Sequence, residues 1–361
     1  MIVHIMPRDK FSHDMVLFFE KNYAGLDFHH YLYGNAHKGY KTPDAANLVE
    51  MEKETSLHEI IIFLKDILTC DAVILDWCEG RIASLLYLLG RIKRTAIFFW
   101  GGELMWKQEP RSDSGVISRI VRHCNRKAIH EAGAILTLTP ADLHIIDNCY
   151  APTGVCLPAT MWTDERGERT DPFCNREHDA VRILVGNSAT RSNRHIETFE
   201  LLAKYADKSI EIILPLSYGD EEYARSVSDY ARMLFGEKVI VIEEFLDIDK
   251  YTELLSTIDV GIFNTDRQQA LGNIRVLLRF GAKVFLSDDS GMIPFFSEEG
   301  YCVHSVSEIS KLDFKLFVEN DIEEIDKNIR VGSKAGLKTK ALRQWDDIFA
   351  LLLDKMRSAS V

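Results

Sequence analysis

The strongest constraint on the fold is an alternation that runs along most of the chain. Short, mainly apolar runs are separated by longer segments in which apolar residues recur at helical spacing. In the N-terminal half the runs are residues 2–5, 72–75, 96–99 and 134–137, and the helical stretches include 56–68, 82–89 and 116–132. Continuous apolar runs of strand length suit strands buried on both faces, and helices between them suit crossovers. The pattern therefore predicts α/β architecture with parallel sheets.

Residues 150–178 break this rhythm with Pro152, Gly154, Pro158, Gly167 and Pro172, a composition expected of connecting segments. The alternation then restarts. Strands are expected at 182–185, 210–214, 239–242, 260–263 and 283–286, with helices at 193–205, 218–234, 249–258, 273–280 and 338–356. The expected division is a domain over 1–160, a linker over 161–178, a second domain over 179–340 and a C-terminal helix over 341–361. Two doubly wound, Rossmann-like domains facing a cleft would gather helix N-termini and strand carboxyl ends at the edges where ligands bind.

Composition excludes several classes. With 46% apolar residues among 361, the chain can bury a core of domain size. Its net charge of −12 argues against a general nucleic-acid coat. The seven cysteines, Cys70, Cys78, Cys124, Cys149, Cys156, Cys174 and Cys302, are odd in number and lack a two-residue-spaced pair, so neither a disulfide framework nor a zinc knuckle is suggested and a reducing cytoplasm fits. The first apolar run is broken by His4, Pro7, Arg8 and Asp9, and no run reaches roughly 18 apolar residues, so neither export by a usual signal nor a membrane span is expected.

Familiar cofactor motifs are missing. The glycines form no Gly-x-Gly-x-x-Gly set, and the spacing from Gly34 to Gly39 ends in Tyr40 rather than in a P-loop lysine. His58-Glu59 and His130-Glu131 lack the second histidine of a zinc helix. Asp247 and Asp249 suit a magnesium site for a nucleotide sugar less well than a cap on the following helix. Nothing in the sequence requires a metal or cofactor.

Two strand-to-helix loops carry more chemistry. In the first, 183–195, Gly186 permits close backbone approach, Asn187, Ser188 and Asn193 offer short polar groups, and Arg191 can pair with phosphate. An ordinary capped loop is the competing reading. In the second, Gln268 and Gln269 can bond sugar hydroxyls, and Gly272 and Asn273 open a helix whose positive end can face a diphosphate. A third loop, 215–219, presents Tyr218 for stacking, or is a plain turn.

These residues resemble the bacterial N-acetylfucosamine transferase family, enzymes that use a thymidine-diphosphate sugar to extend the lipid-linked intermediate of enterobacterial common antigen. The similarity rests on 183–188 with Arg191, Ser192, Asn193 and His195, on the Pro215–Tyr218 stretch, and on Arg267, Gln268, Gln269 and Gly272. In the first half it rests on Trp100-Gly101-Gly102-Glu103-Leu104 and on Thr139 with Asp142. The family usually has Trp-Gly-Ala-Asp where this chain has Gly102 and Glu103, and this chain has Ala189 and Thr190 in the cradle.

The resemblance implies a GT-B glycosyltransferase. The second domain would hold a nucleotide-diphosphate sugar and the first a polyprenyl-diphosphate-linked saccharide, at the inner face of the inner membrane. Alternatives are another donor or acceptor in O-antigen or capsule synthesis, or a non-catalytic nucleotide-sugar-binding module. Arg191, the 186–188 backbone and the helix start at Gly272 would stabilise the departing diphosphate.

Glu103, beyond an apolar strand and a Trp-Gly-Gly turn, should project into the cleft. There it would accept the acceptor's proton in an inverting reaction or position the sugar in a retaining one; the bland reading is an exposed helix cap. His4 and His195 are weaker candidates. Trp100 and Trp106 are candidate sugar platforms, with core packing as the competing role. Arg111, Arg119, Arg122, Arg126 and Lys127, opposed only by Asp113, share a helical segment with Ile117, Ile120, Val121 and Cys124. Arg119 and Arg122 would meet the acceptor's pyrophosphate or anionic lipid, unless the segment is simply a solvated face.

Overall fold

The computed structural model describes residues 1–37, 39–52, 54–107, 115–161 and 178–358. The chain divides into two compact units, Met1–Arg166 with Lys338–Val361, and Gly167–Leu337.

The first unit is built on a seven-stranded parallel sheet: β1 (Ile2–Pro7), β2 (Phe28–Tyr33), β3 (Leu48–Met51), β4 (Ala72–Asp76), β5 (Thr95–Phe99), β6 (Ala134–Thr137) and β7 (Val155–Pro158). Its order is β3-β2-β1-β4-β5-β6-β7. The central strands β1, β4, β5 and β6 are buried at every position, in keeping with their largely apolar runs, and the burial includes the polar side chains of His4, Asp76, Thr95 and Thr137. The strand order reverses between β1 and β4, so the crevice beyond their carboxyl ends is the topological switch point.

The second unit repeats the plan with six parallel strands, β8 (Val181–Val185), β9 (Ile210–Pro215), β10 (Val239–Ile242), β11 (Val260–Phe263), β12 (Lys283–Leu286) and β13 (His304–Ser305). The order β10-β9-β8-β11-β12-β13 places its switch point between β8 and β11.

Three features depart from the sequence reading. β2 and β3 fall in a stretch without an expected strand, because β2 carries two histidines and β3 is a half-buried strand at the sheet edge. β7 lies within the stretch expected to be connecting chain; it is the opposite edge strand, where Pro158 can sit at its end. The last helix begins at Lys334, and from Lys338 onward it belongs to the first unit instead of standing apart. Trp345 fixes it there, fully buried, edge-on to Phe19 at 4.7 Å between ring centroids, with its indole N–H donated to the Thr160 carbonyl at 3.0 Å. Most of the expected linker, 162–177, lies outside the described residues.

Candidate functional site

At the switch point of the second unit, the chain leaves β8 through Gly186 at a φ of +68°. A Cβ at this position would lie 2.7 Å from His195 Nε2 and 2.9 Å from Asn193 Oδ1, so both backbone conformation and space require glycine. The Gly186 amide donates to the Ile262 carbonyl at 3.0 Å and the Asn187 amide to Asn193 Oδ1 at 3.2 Å. The expectation that these amides face an anion is corrected on that ground, since both are spent inside the protein.

The side chains sort into scaffold and available groups. Asn193 donates through Nδ2 to the Ser188 carbonyl at 3.0 Å and to Thr190 Oγ1 at 2.9 Å, while its Oδ1 accepts from Gln269 Nε2 at 2.9 Å. Gln269 also donates to Asn187 Oδ1 at 2.9 Å and accepts from Ser192 Oγ at 2.8 Å. Of the residues expected to touch the donor, Asn193 and Gln269 tie the loops after β8 and β11 together, and the buried Ser188 bonds to Thr190 and Asn193 within the first of them. Gln268 differs, being buried with an Oε1 that has no partner.

Asn187 Nδ2 donates to the Tyr218 hydroxyl at 2.9 Å, the Ala189 amide donates to the Tyr218 carbonyl and the Asp220 amide to the Ala189 carbonyl, each at 2.8 Å, so the loop after β9 joins the same edge. Tyr218 remains exposed at 39%. Arg191 is also exposed and lies over the Tyr223 ring, 5.0 Å from its centroid. The helix Leu271–Arg279 starts after Ala270, a non-glycine residue at φ +60° that provides no side-chain cap, so its first-turn amides keep their donor capacity. Gly272 is exposed in that turn, and Asn273 donates to the Tyr251 hydroxyl at 2.8 Å. His195 is fully buried, with Nδ1 3.2 Å from the Tyr223 hydroxyl and Nε2 unpartnered. Burial lowers its pKa to about 4, so the ring is neutral at neutral pH.

In the first unit, Glu103 sits in the short 3-10 helix Gly102–Lys107 after β5. It is only 7% exposed, which removes the exposed-cap reading. Oε1 accepts from the Trp100 amide at 2.9 Å, and Oε2 has no hydrogen-bond partner. Burial raises the carboxyl pKa to about 7, the Asp142 charge adds to the rise, and the amides of Glu103, Trp100 and Cys78 oppose it. The two first-half stretches that carry the resemblance therefore meet. Thr139 caps the helix Pro140–Tyr150 and donates to Asp142 Oδ2 at 2.8 Å. Gly102 lies beneath the Trp77 indole, 2.7 Å from where its Cβ would stand, so this chain's departure from alanine has a steric counterpart.

Trp100 is corrected from an open sugar platform to a buried anchor. It is 8% exposed and its indole N–H is donated to Asp76 Oδ1 at 3.1 Å. The side chain of Trp106, together with Arg111 and Asp113, lies outside the described residues. On the helix Val116–Glu131, Arg119, Arg122, Arg126 and Lys127 are exposed, and so are Val116, Ile117 and Ile120; Cys124, Ala128 and Ile129 face the core. Asp247 caps the helix Ile248–Ser256, accepting from the Lys250 amide at 3.0 Å. Among the described residues, no helix is long and apolar enough to cross a membrane.

Solved structures of low identity share the fold. The α,α-trehalose 6-phosphate synthase from Burkholderia multivorans is 10% identical with a TM-score of 0.61, covering 99% of this chain and 97% of that one. The E. coli trehalose-6-phosphate protein bound with UDP-2-fluoro glucose is 11% identical with a TM-score of 0.59, covering 97% and 99%. These are GT-B folds, in keeping with the two parallel sheets and their flanking helices. Residues 82–329 match the family described as 4-alpha-L-fucosyltransferase, glycosyl transferase group 56, and the chain is a glycosyltransferase belonging to that family.

Proposed function

We propose that this enzyme moves an N-acetylfucosamine-like deoxyamino sugar from a thymidine-diphosphate donor to a polyprenyl-diphosphate-linked saccharide in bacterial surface polysaccharide synthesis of the enterobacterial common antigen type. The observation that carries the reading is the hydrogen-bonded union of the loops after β8, β9 and β11 at a switch point. Support for a nucleotide sugar also comes from the E. coli neighbour, which holds UDP-2-fluoro glucose.

Arg191 and the uncapped start of the helix Leu271–Arg279 supply positive potential to the leaving diphosphate. Gln268 and Tyr218 meet the sugar or base, and Gly272 lets the ligand approach the first turn. Glu103 takes the proton of the acceptor hydroxyl as the new glycosidic bond forms and the anomeric carbon–diphosphate bond breaks. A carboxylate poised near neutrality with an unpartnered oxygen suits that task.

A calorimetric panel of nucleotide sugars tests the donor. A thymidine-diphosphate deoxyamino sugar should bind at least tenfold more tightly than uridine- or guanosine-diphosphate hexoses; a reversed order overturns the proposed donor. Arg191→Ala should weaken donor binding by about 1–2 kcal/mol, roughly tenfold, because an exposed guanidinium gains less than a desolvated one. Unchanged affinity would remove Arg191 from the site.

The exposed Val116, Ile117 and Ile120 beside Arg119, Arg122, Arg126 and Lys127 fit peripheral contact with the anionic inner face of the membrane from which the acceptor is drawn. Flotation with vesicles containing anionic lipid should recover the protein, and the Arg119→Glu/Arg122→Glu double variant should lower the bound fraction about tenfold or more. Equal absence from neutral and anionic vesicle fractions defeats the membrane assignment.

A further inference from the structure

A row of buried polar side chains crosses the first sheet from β2 to the turn after β5, and the transfer chemistry above leaves it unused. His4 on β1 stands opposite His30 on β2, with their Nδ1 atoms 2.8 Å apart. His30 Nε2 is 3.0 Å from Glu20 Oε1, His4 Nε2 is 2.7 Å from Asp76 Oδ2 at the end of β4, and Asp76 Oδ1 accepts the Trp100 indole N–H at 3.1 Å. His4, His30 and Asp76 have no exposed surface. Phe19 packs edge-on to His4 and Phe28 stacks on His30.

The hydrogen-bond partners fix where the protons sit. Burial, reinforced by His4 and His29, drives the His30 pKa far below its ordinary value, so the ring is neutral. Facing a carboxylate, His30 Nε2 carries the hydrogen. His30 Nδ1 can then only accept, and His4 Nδ1 must donate to it. One further proton lies between His4 Nε2 and Asp76 Oδ2, whichever of the two holds it, so the pair has no net charge. Both nitrogens of each ring and both oxygens of Asp76 are thereby occupied.

We propose that His4, His30 and Asp76 are positioning residues: a buried relay that locks Trp100 in place and, through the Trp100 amide, orients Glu103. The proposal rests on Glu103 being the base. The groups facing Glu103 are Asp142 on the helix Pro140–Tyr150, the Cys78 amide beyond β4, and Tyr33 at the end of β2. Release of Trp100 would admit water to Glu103 and return its carboxyl toward the ordinary range.

The test compares Asp76→Ala, Asp76→Asn and Trp100→Phe in the full chain, measuring kcat, donor KM and the pH profile of kcat/KM. Asp76→Ala and Trp100→Phe should lower kcat about tenfold or more with donor KM within about twofold, and move the acidic limb down by about one pH unit. Asp76→Asn should recover most of the lost kcat, because its amide can still accept from the indole and donate to a neutral His4. Trp100→Phe removes the same bond with little loss of volume and decides the matter where Asp76→Ala does not fold.

Unchanged kcat and pH limb in these variants, alongside an inactive Glu103→Gln, overturn the relay alone. An active Glu103→Gln overturns the base reading and, with it, the relay's purpose. Imidazole nitrogen NMR of the wild-type protein gives a separate check: His30 protonated on Nδ1, or on both nitrogens, refutes the proton assignment.

Discussion

Glu103→Gln is expected to lower kcat by about 10²–10⁴-fold while leaving donor affinity within about twofold of wild type. The amide keeps the shape of the side chain and can still accept from the Trp100 amide through its oxygen, but it cannot take a proton from the acceptor hydroxyl. The same substitution should raise stability at alkaline pH. A carboxyl pKa moved from 4.5 to about 7 means that the folded protein binds the proton more tightly than the unfolded chain. Its stabilising effect is fully present below the unfolded value, declines as pH rises between the two values, and is lost above the folded one. At pH 8 the ionised, buried carboxylate therefore costs about 3 kcal/mol relative to a neutral group, and glutamine avoids that cost. Steady-state rates, donor calorimetry and melting at pH 5 and pH 8 read the three effects. Retained turnover sinks the base assignment, whereas a melting gain equal at both pH values sinks the account of its buried charge.

The legible parts of the fold are those in which local pattern and tertiary role agree. β1, β4 and β8 are central strands whose sequences are dominated by apolar residues, with His4, Asp76 and Arg182 the exceptions, and periodicity finds them. β3 and β7 are edge strands, β3 with Glu50 within it and β7 with Pro158 at its end; they receive their identity from a neighbour's hydrogen bonds, which no local window contains. The last helix reads as a helix from its own spacing, but its attachment to the first unit depends on Trp345 finding Phe19 and Thr160.

Residue type reveals bonding capacity but not what consumes it, and this limits what can be read of the site. Small polar residues after β8 and the paired glutamines after β11 mark two loops worth attention. Only geometry separates Gln269, whose amide binds three side chains, from Gln268, whose oxygen has none. Positive φ at Ala270 and Trp77 leaves no compositional trace, since neither is a residue that favours the left-handed region. The His4–His30–Asp76 row was equally hidden, being formed by three strands adjacent in the sheet and separated in the chain. Glu103 was recognisable as a carboxylate beyond a strand; its burial and its coupling to Asp142 were not.

Gly186→Ala is expected to destabilise the second unit by about 2–4 kcal/mol and to weaken donor binding more than tenfold. Two costs combine. An alanine at φ +68° costs about 1–2 kcal/mol in backbone conformation alone. Its methyl group would also stand 2.7 Å from His195 Nε2 and 2.9 Å from Asn193 Oδ1, forcing one of two buried side chains to move. Asn193 Oδ1 is where the Asn187 amide and Gln269 Nε2 converge, so its displacement separates the loop after β8 from the loop after β11. Donor binding should suffer because the loops proposed to receive the donor lose their common frame. Gly272→Ala provides the stability comparison: its φ is not positive and an added Cβ meets nothing within 4 Å, so helix propensity should make it neutral or stabilising by up to about 1 kcal/mol. Thermal melting should separate the two alanines, with Gly186→Ala falling by roughly 5–15 °C. Equal melting temperatures for both variants and wild type, with unchanged donor affinity for Gly186→Ala, would remove the steric junction at Asn193 and His195 from the account of the site.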